Sequence, residues 1–298
     1  MAGSVHDTVL KRRGQVVTSI LETRAVVEDC RSSMVGGITA GLEIWELAII
    51  PYLLNNSETW AEISKSTLDV LEKIQLMFYR TILATPRTCP IPALLWETGG
   101  LLMEHRIDLK KLMFYHHLIN LPNDTLAHEI VNIQETMAYP GLVTEYKKLI
   151  EKYELPNIRM FSRMQWKKLV KSEIAKQNRL GLLARIKNGY KKLDYDALCY
   201  EKFETKDYFK TLNLPDARLK FALRTKMTRT VQMNFKGDAR FSKNGCKCRE
   251  CDTPDTQDHI VRCRSYKDIR VGKDLNSDKD LVEYFREVIK MRGEAEVL

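Results

Sequence analysis

Four soft-ligand side chains crowd together near the end of the sequence. In CKCRECDTPDTQDHIVRC (246–263), the spacing Cys248-x2-Cys251-x7-His259-x3-Cys263 supplies three thiolates and an imidazole. A Cys-x2-Cys turn lets two thiolates reach one tetrahedral ion at about 2.3 Å each, and thiolate with imidazole favours zinc over magnesium or calcium. His259 and Cys263 are four apart, so a short helix puts both on one face. The intervening DTPDTQD is turn chemistry that folds the two halves together. Cys246-x4-Cys251 is also feasible, and Cys248 is the preferred ligand. Four protein ligands leave no open position for a catalytic water, so the expected zinc is structural and supplies most of the knuckle's local folding energy.

A second pattern is electrostatic. The chain carries 48 Lys+Arg against 39 Asp+Glu, a net charge of +9. Residues 1–150 hold a net −3, residues 151–250 a net +14, and residues 251–298 a net −2. From Arg159 to Lys192 there are eleven basic residues and one acid, Glu173. Arg159, Arg163, Lys167 and Lys171 step by four and form a ridge on a helix, with Trp166, Val170 and Ile174 one position earlier on a neighbouring ridge. Lys168, Arg179, Arg185 and Lys187 extend the block. A second cluster has no acid at all: Arg218, Lys220, Arg224, Lys226 and Arg229. Closely spaced cations of this kind neutralise phosphates and release counterions, so both clusters are expected to contact RNA or DNA. An acidic protein partner is the competing expectation.

The elements that must position these groups read as helical nearly throughout. Val17, Ile20, Val27, Cys30 and Met34 recur at helical spacing until Gly36-Gly37. A second apolar helix covers about 39–54 and ends near Pro51. Ser66 with Asp69 marks a capping-box start, after which Leu68, Leu71, Ile74, Phe78 and Ile82 line one face. Pro86, Pro90 and Pro92 stop that helix, and another runs from about Met103 to Asn120. Further helical patterns fall at about 158–188, 200–211 and 215–233. No segment alternates long enough for a sizeable sheet. Turns at Tyr139-Pro140-Gly141 and Leu155-Pro156-Asn157 flank the change in charge balance, which places a linker at 141–157.

Several chemistries have no residues to carry them. There is no adjacent Asp pair, no phosphate-binding glycine loop, and no His-Glu-x2-His. Pro215-Asp216 and Pro254-Asp255 are not followed by the Asp/Glu-x-Lys of a metal-dependent nuclease. His116-His117 reads as a packing pair. Catalysis by this chain alone is not expected. Seven cysteines, four of them in one cluster, indicate a reducing compartment and a metal site rather than a disulfide framework. The first residues lack a secretory signal. Ala40–Leu54 is too short and too charged to span a membrane, so no membrane partner is expected. Nuclear or cytoplasmic residence is the corresponding expectation.

Taken together, PYLLNNSETW (51–60), LDVLEKIQLMFYRTIL (68–83), TPRTCPIPALLWETG (85–99), RIDLKKLMFYHHLINLP (106–122) and YKKLDYDALCYEKFETKDYFKTLNLPDARLKFALRTKM (190–227) resemble the thumb and post-thumb region of non-LTR (LINE-type) retrotransposon reverse transcriptases. Cys248, Cys251, His259 and Cys263 match that family's terminal CCHC motif, with a last gap of three residues where four is frequent. The resemblance covers roughly residues 5–270. It implies helices that cradle a primer–template duplex and a knuckle that holds RNA or DNA, with RNA-directed DNA synthesis as the parent activity. The family's fingers, palm, metal-binding aspartates and nuclease have no counterpart, so no catalytic residue carries over, and a full-length reverse transcriptase acting in trans is a further expected partner. The expected fold is mainly α: a thumb-like helical domain (1–140), the linker, a basic helical region (158–236), a zinc knuckle (237–270) and a mixed-charge helical tail (271–298).

Overall fold

The computed structural model describes residues 4–29, 36–60, 62–87, 89–137, 141–189, 201–227, 248, 251 and 253–292. Apolar residues spaced by four and seven along α1 (Val5–Asp29) bury Val9, Val16, Ile20 and Val27 against α4 (Lys65–Ile82), which contributes Leu71, Ile74, Phe78 and Ile82. The cap of α4 is Ser64 rather than Ser66. Its hydroxyl accepts from the Thr67 amide at 3.2 Å, satisfying one of the donors that a helix start leaves free.

Pro51 does not end the second helix. The chain stays helical through α2 (Gly37–Ile44), a π turn at Trp45–Ile49 and α3 (Ile50–Leu53). Proline lacks an N–H and its ring crowds the carbonyl four residues back. The wider turn, in which the Ile50 amide donates to the Trp45 carbonyl, relieves that crowding. Trp45 is fully buried and stacks on Phe78 at 4.4 Å. The turn after α3 is held by cations: Arg12 donates to the Leu53 and Asn55 carbonyls, and Lys110 to the Leu54 carbonyl. α5 (Ile91–Thr98) adds to this first core and stops at Gly99, whose φ of +65° is the left-handed conformation that favours glycine at a helix end.

The second core joins α6 (Met103–Ile119), α7 (Leu126–Met137), α8 (Leu142–Lys152) and the first half of α9 (Arg163–Gly189). The stretch expected as a linker is therefore not one. Val143, Tyr146, Tyr153 and Leu155 from 141–157 are buried here. The change in charge at this point reports surface composition and leaves the apolar faces on either side continuous. Nor does a boundary separate 1–140 from 158–236. Trp166, Val170 and Ile174 of α9 enter the second core, while Leu182, Leu183 and Ile186 of the same helix enter the first. Between them, buried Asn178 accepts from the Leu102 amide at 3.0 Å.

α10 (Tyr208–Thr211) leads through the Asn213 cap into α11 (Leu214–Arg224). α11 is buried on two sides. Leu214, Ala217 and Phe221 face the first core; Leu219 and Leu223 face a third. That third core also holds α12 (Gln257–Arg262), α13 (Lys267–Arg270) and α14 (Asp278–Met291). The expected tail is thus a packed helix, with Val282, Tyr284, Phe285 and Val288 all buried. Among the described residues the protein is mainly helical and has no strand, and no helix is long and apolar enough to cross a membrane.

Candidate metal centre and basic surfaces

Thr256 starts α12 by accepting from the His259 amide at 3.0 Å, and Cys263 closes the same helix. This fixes the four-residue step that brings the imidazole and the last thiol to one side. The Cys248 amide donates to the Thr253 carbonyl at 2.7 Å and folds the first thiol back over the turn. As a result the ligand atoms of Cys248, Cys251, His259 and Cys263 all lie within 4.8 Å of one another. Cys251 Sγ is 3.1 Å from His259 Nε2 and 3.7 Å from Cys263 Sγ. Zinc bonds of about 2.3 Å to sulfur and about 2.0 Å to nitrogen put tetrahedral edges at about 3.8 Å for S···S and 3.5 Å for S···N, so this donor set fits the ion after small adjustments. Cys248 and Cys263 are buried, while Cys251 is exposed. Hydrogen bonding from Thr253, through its hydroxyl first and its backbone second, holds the Cys251 thiol below its ordinary pKa. Cys246, the alternative ligand, lies outside the described residues.

The knuckle is built into the third core rather than standing apart. Cys248, Ile260 and Cys263 pack with Leu223, Val282, Phe285 and Val288. The Tyr284 hydroxyl donates to the Ile260 carbonyl at 2.8 Å, and Arg270 donates to the carbonyl of Cys263. Asp255 is fully buried and receives both guanidinium nitrogens of Arg292, at 2.8 and 3.1 Å. Arg292 Nε also donates to the Tyr266 hydroxyl at 2.8 Å, and burial pushes that phenol up to about 12. In the sequence, Asp255 stands out only as half of an incomplete nuclease signature. Its structural role leaves no local signal, because its partner stands 37 residues away.

The two basic clusters have opposite fates. On α9, Arg163, Lys167, Lys168, Lys171 and Arg185 are exposed, and none has an ion-pair partner among the described residues. Trp166, Val170 and Ile174 are fully buried beneath them. Arg159 is exposed but pairs with Glu135 at 3.1 Å. Arg179 is half-buried and Lys187 exposed.

The cluster on α11 is corrected as a phosphate-binding surface. Arg218, 6% exposed, donates to the Ile82 carbonyl and pairs with Glu28 at 2.8 Å. Lys220 pairs with Asp278 at 2.5 Å. Arg224 bridges Glu97 and Glu201, each at 2.8 Å, and those carboxylates hold its guanidinium well above its ordinary pKa against the cost of burial. A helix wedged between two cores has little surface left for solvent, and its cations are neutralised by carboxylates of neighbouring elements. Lys226 remains half-exposed, 4.0 Å from Asp258, and Arg229 lies outside the described residues.

The His116-His117 pair reads as expected at its first member, since His116 Nε2 lies 2.9 Å from the Phe161 carbonyl and its ring stacks on Trp166. No protein family, curated protein or solved structure matches the chain.

Proposed function

We propose that this chain is a zinc-stapled helical module that binds RNA or DNA through the exposed ridge of α9, without catalysis of its own, in the manner implied by its resemblance to the terminal region of non-LTR reverse transcriptases. The observation that carries the reading is the contrast between two basic helices. α11 pairs its cations with carboxylates of neighbouring elements, Glu28, Asp278, Glu97 and Glu201, whereas Arg163, Lys167, Lys168 and Lys171 stand in solvent within about 12 Å of helix axis. Such a row is suited to a polyanion. The Cys248, Cys251, His259 and Cys263 set would hold zinc as a closed, structural ion that orients α12 against α11 and α14.

The test is binding of the zinc-loaded chain to a fluorescent RNA and a DNA duplex across a salt series. Neutralising up to four phosphates gives a log–log slope of about −3 to −4 on duplex DNA. Affinity that is flat with salt, or absent at low salt, rejects the phosphate mechanism. Zinc itself is tested by metal stoichiometry and by cobalt substitution, where tetrahedral thiolate coordination has a visible-absorption signature; a chain that takes up no cobalt refutes the centre.

A second reading, a scaffold for a protein partner, is favoured by one observation. Leu126, Ile130, Ile133 and Met137 of α7 are exposed at a spacing of four, three and four, a continuous apolar stripe of the kind that pairs with another helix. Polar substitution of Ile130 and Ile133 that abolishes partner capture while leaving nucleic-acid affinity unchanged would favour it.

A further inference from the structure

Lys171, the last cation of the α9 ridge, stands at the mouth of a cavity of about 400 Å³ between α3, α6 and α9. The volume lies inside the range of about 300–1,000 Å³ found for pockets that hold small ligands. Its walls are aliphatic: Ile50 and Leu54 from one side, Leu109 and Ile174 from the other. At its edge the Arg106 guanidinium meets Glu46 in a two-pronged pair at 2.6 and 2.7 Å. Arg106 is buried, while the Glu46 side chain is half-exposed and keeps carboxylate lone pairs free for a further donor. The charges of Arg106 and Glu46 cancel, and Lys110 is matched by Glu58 at 2.9 Å. Lys171 alone is left without an ion-pair partner among the described residues.

From this arrangement we infer that the cavity is a slot for a single unstacked nucleobase of a bound strand, with the adjoining phosphates lying on Lys171, Lys167 and Arg163. The inference rests on the nucleic-acid reading above and names its substrate class: single-stranded or locally unpaired nucleic acid. A monoanionic amphiphile would need one cation beside an apolar cleft. The structure instead continues the cation row away from the cleft at intervals of about 6 Å, one every four residues of helix, which suits a chain of phosphates. Aliphatic walls accept the flat apolar face of a base, and the Arg106–Glu46 pair presents a charged edge where the polar rim of that base would emerge. A duplex keeps its bases stacked and could use only the ridge.

The experiment compares three probes on the full zinc-loaded chain: a short single-stranded RNA, the same strand with abasic positions, and its duplex. Binding is read by anisotropy across salt. Removal of about 55 Å² of apolar base surface from water predicts that the intact strand binds about tenfold more tightly than the abasic one. Leu109→Trp, which fills the cavity, should bring that ratio close to one and leave the salt slope unchanged. Leu101→Phe serves as a second filling variant, and thermal melts establish that each is folded. Lys171→Gln should weaken both strands and reduce the slope by about one. Equal affinity for intact and abasic strands, with a steep salt slope, overturns the slot and leaves the ridge standing. A folded filling variant that keeps the full preference for the intact strand also overturns it. No binding of any probe at low salt rejects the slot and the nucleic-acid reading together.

Discussion

Arg292 and Asp255 form a two-pronged ion pair at 2.8 and 3.1 Å, with side chains 8% and 0% exposed. The pair ties the turn that precedes α12 to the end of α14, and so braces the metal-ligand loop from outside its own segment. Removing one partner strands the other charge in a site closed to water. Arg292→Ala is expected to cost about 3–5 kcal/mol of third-core stability, and Asp255→Ala a similar amount. A zinc-loaded urea melt checks this; a shift below about 1 kcal/mol would show that water reaches the pair.

Metal removal should act locally. Chelation is expected to release backbone protection at His259 and Ile260, whose amides donate to Thr256, while Phe285 and Val288 stay protected through their contacts with Leu219 and Leu223 in the same core. This revises the expectation that zinc supplies most of the energy for folding the knuckle, because seven further apolar side chains share its core. Hydrogen exchange with and without chelator decides it. Simultaneous loss of protection along α14 would restore the metal to the dominant role.

The two basic helices should respond differently to mutation. Arg163→Glu with Lys167→Glu is expected to weaken nucleic-acid binding more than tenfold and to change folding stability by less than about 0.5 kcal/mol, as for exposed sites without partners. Arg218→Ala is expected to cost about 3 kcal/mol, since it strips the Ile82 carbonyl of its side-chain donor and Glu28 of the nearer of its two cations, leaving only Arg24 at 3.8 Å. Paired binding and melting measurements separate the cases. A stable Arg218→Ala protein with impaired binding would return that residue to the nucleic-acid surface.

His105 offers a pH test. Its Nδ1 lies 2.7 Å from the Tyr153 hydroxyl, which donates in turn to Asp108 at 2.7 Å, so the neutral ring carries its proton on Nδ1. Burial first, and Lys152 second, lower its pKa from the ordinary 6.5. A depressed folded value means that the unfolded chain binds more protons in the window between the two values. The stabilising contribution is complete above about pH 6.5 and is lost as pH falls through the folded value. An imidazole NMR titration should place the His105 midpoint below 6.5. A midpoint at or above that value would contradict the burial argument.

Gly99 joins two distant segments. At φ +65°, a Cβ there would come within 2.6 Å of the Thr205 amide nitrogen and 2.8 Å of the Glu204 carbonyl carbon, both backbone atoms that cannot swing aside. Gly99→Ala is expected to destabilise the protein by about 1–3 kcal/mol, measured by thermal melting. An unchanged midpoint would mean that the 204–206 segment can move off α5.

Helical periodicity in the residue order located α4, α6 and α9, and the step from His259 to Cys263 predicted the shared helix of the metal ligands. The fate of the cations was not legible. Basic residues at a step of four, as at Arg163, Lys167 and Lys171, give the same string whether a ridge faces water or carboxylates. Glu28, Glu97 and Asp278, which neutralise α11, lie 190, 127 and 58 residues from their partners. The apparent linker misled for a related reason: proline and glycine mark turns, and a turn between two helices of one core looks like a turn between two domains.

α9 holds one core by Trp166 and the other by Leu182, with Asn178 pinned to the backbone between them. Its 27 residues make a strut of about 40 Å. A force applied at Arg163 would be carried along that strut into the helices around Trp96 and Phe78. The molecule would resist such a load as one piece, and cutting the chain within 141–157 would leave two fragments that still cling together through the strut.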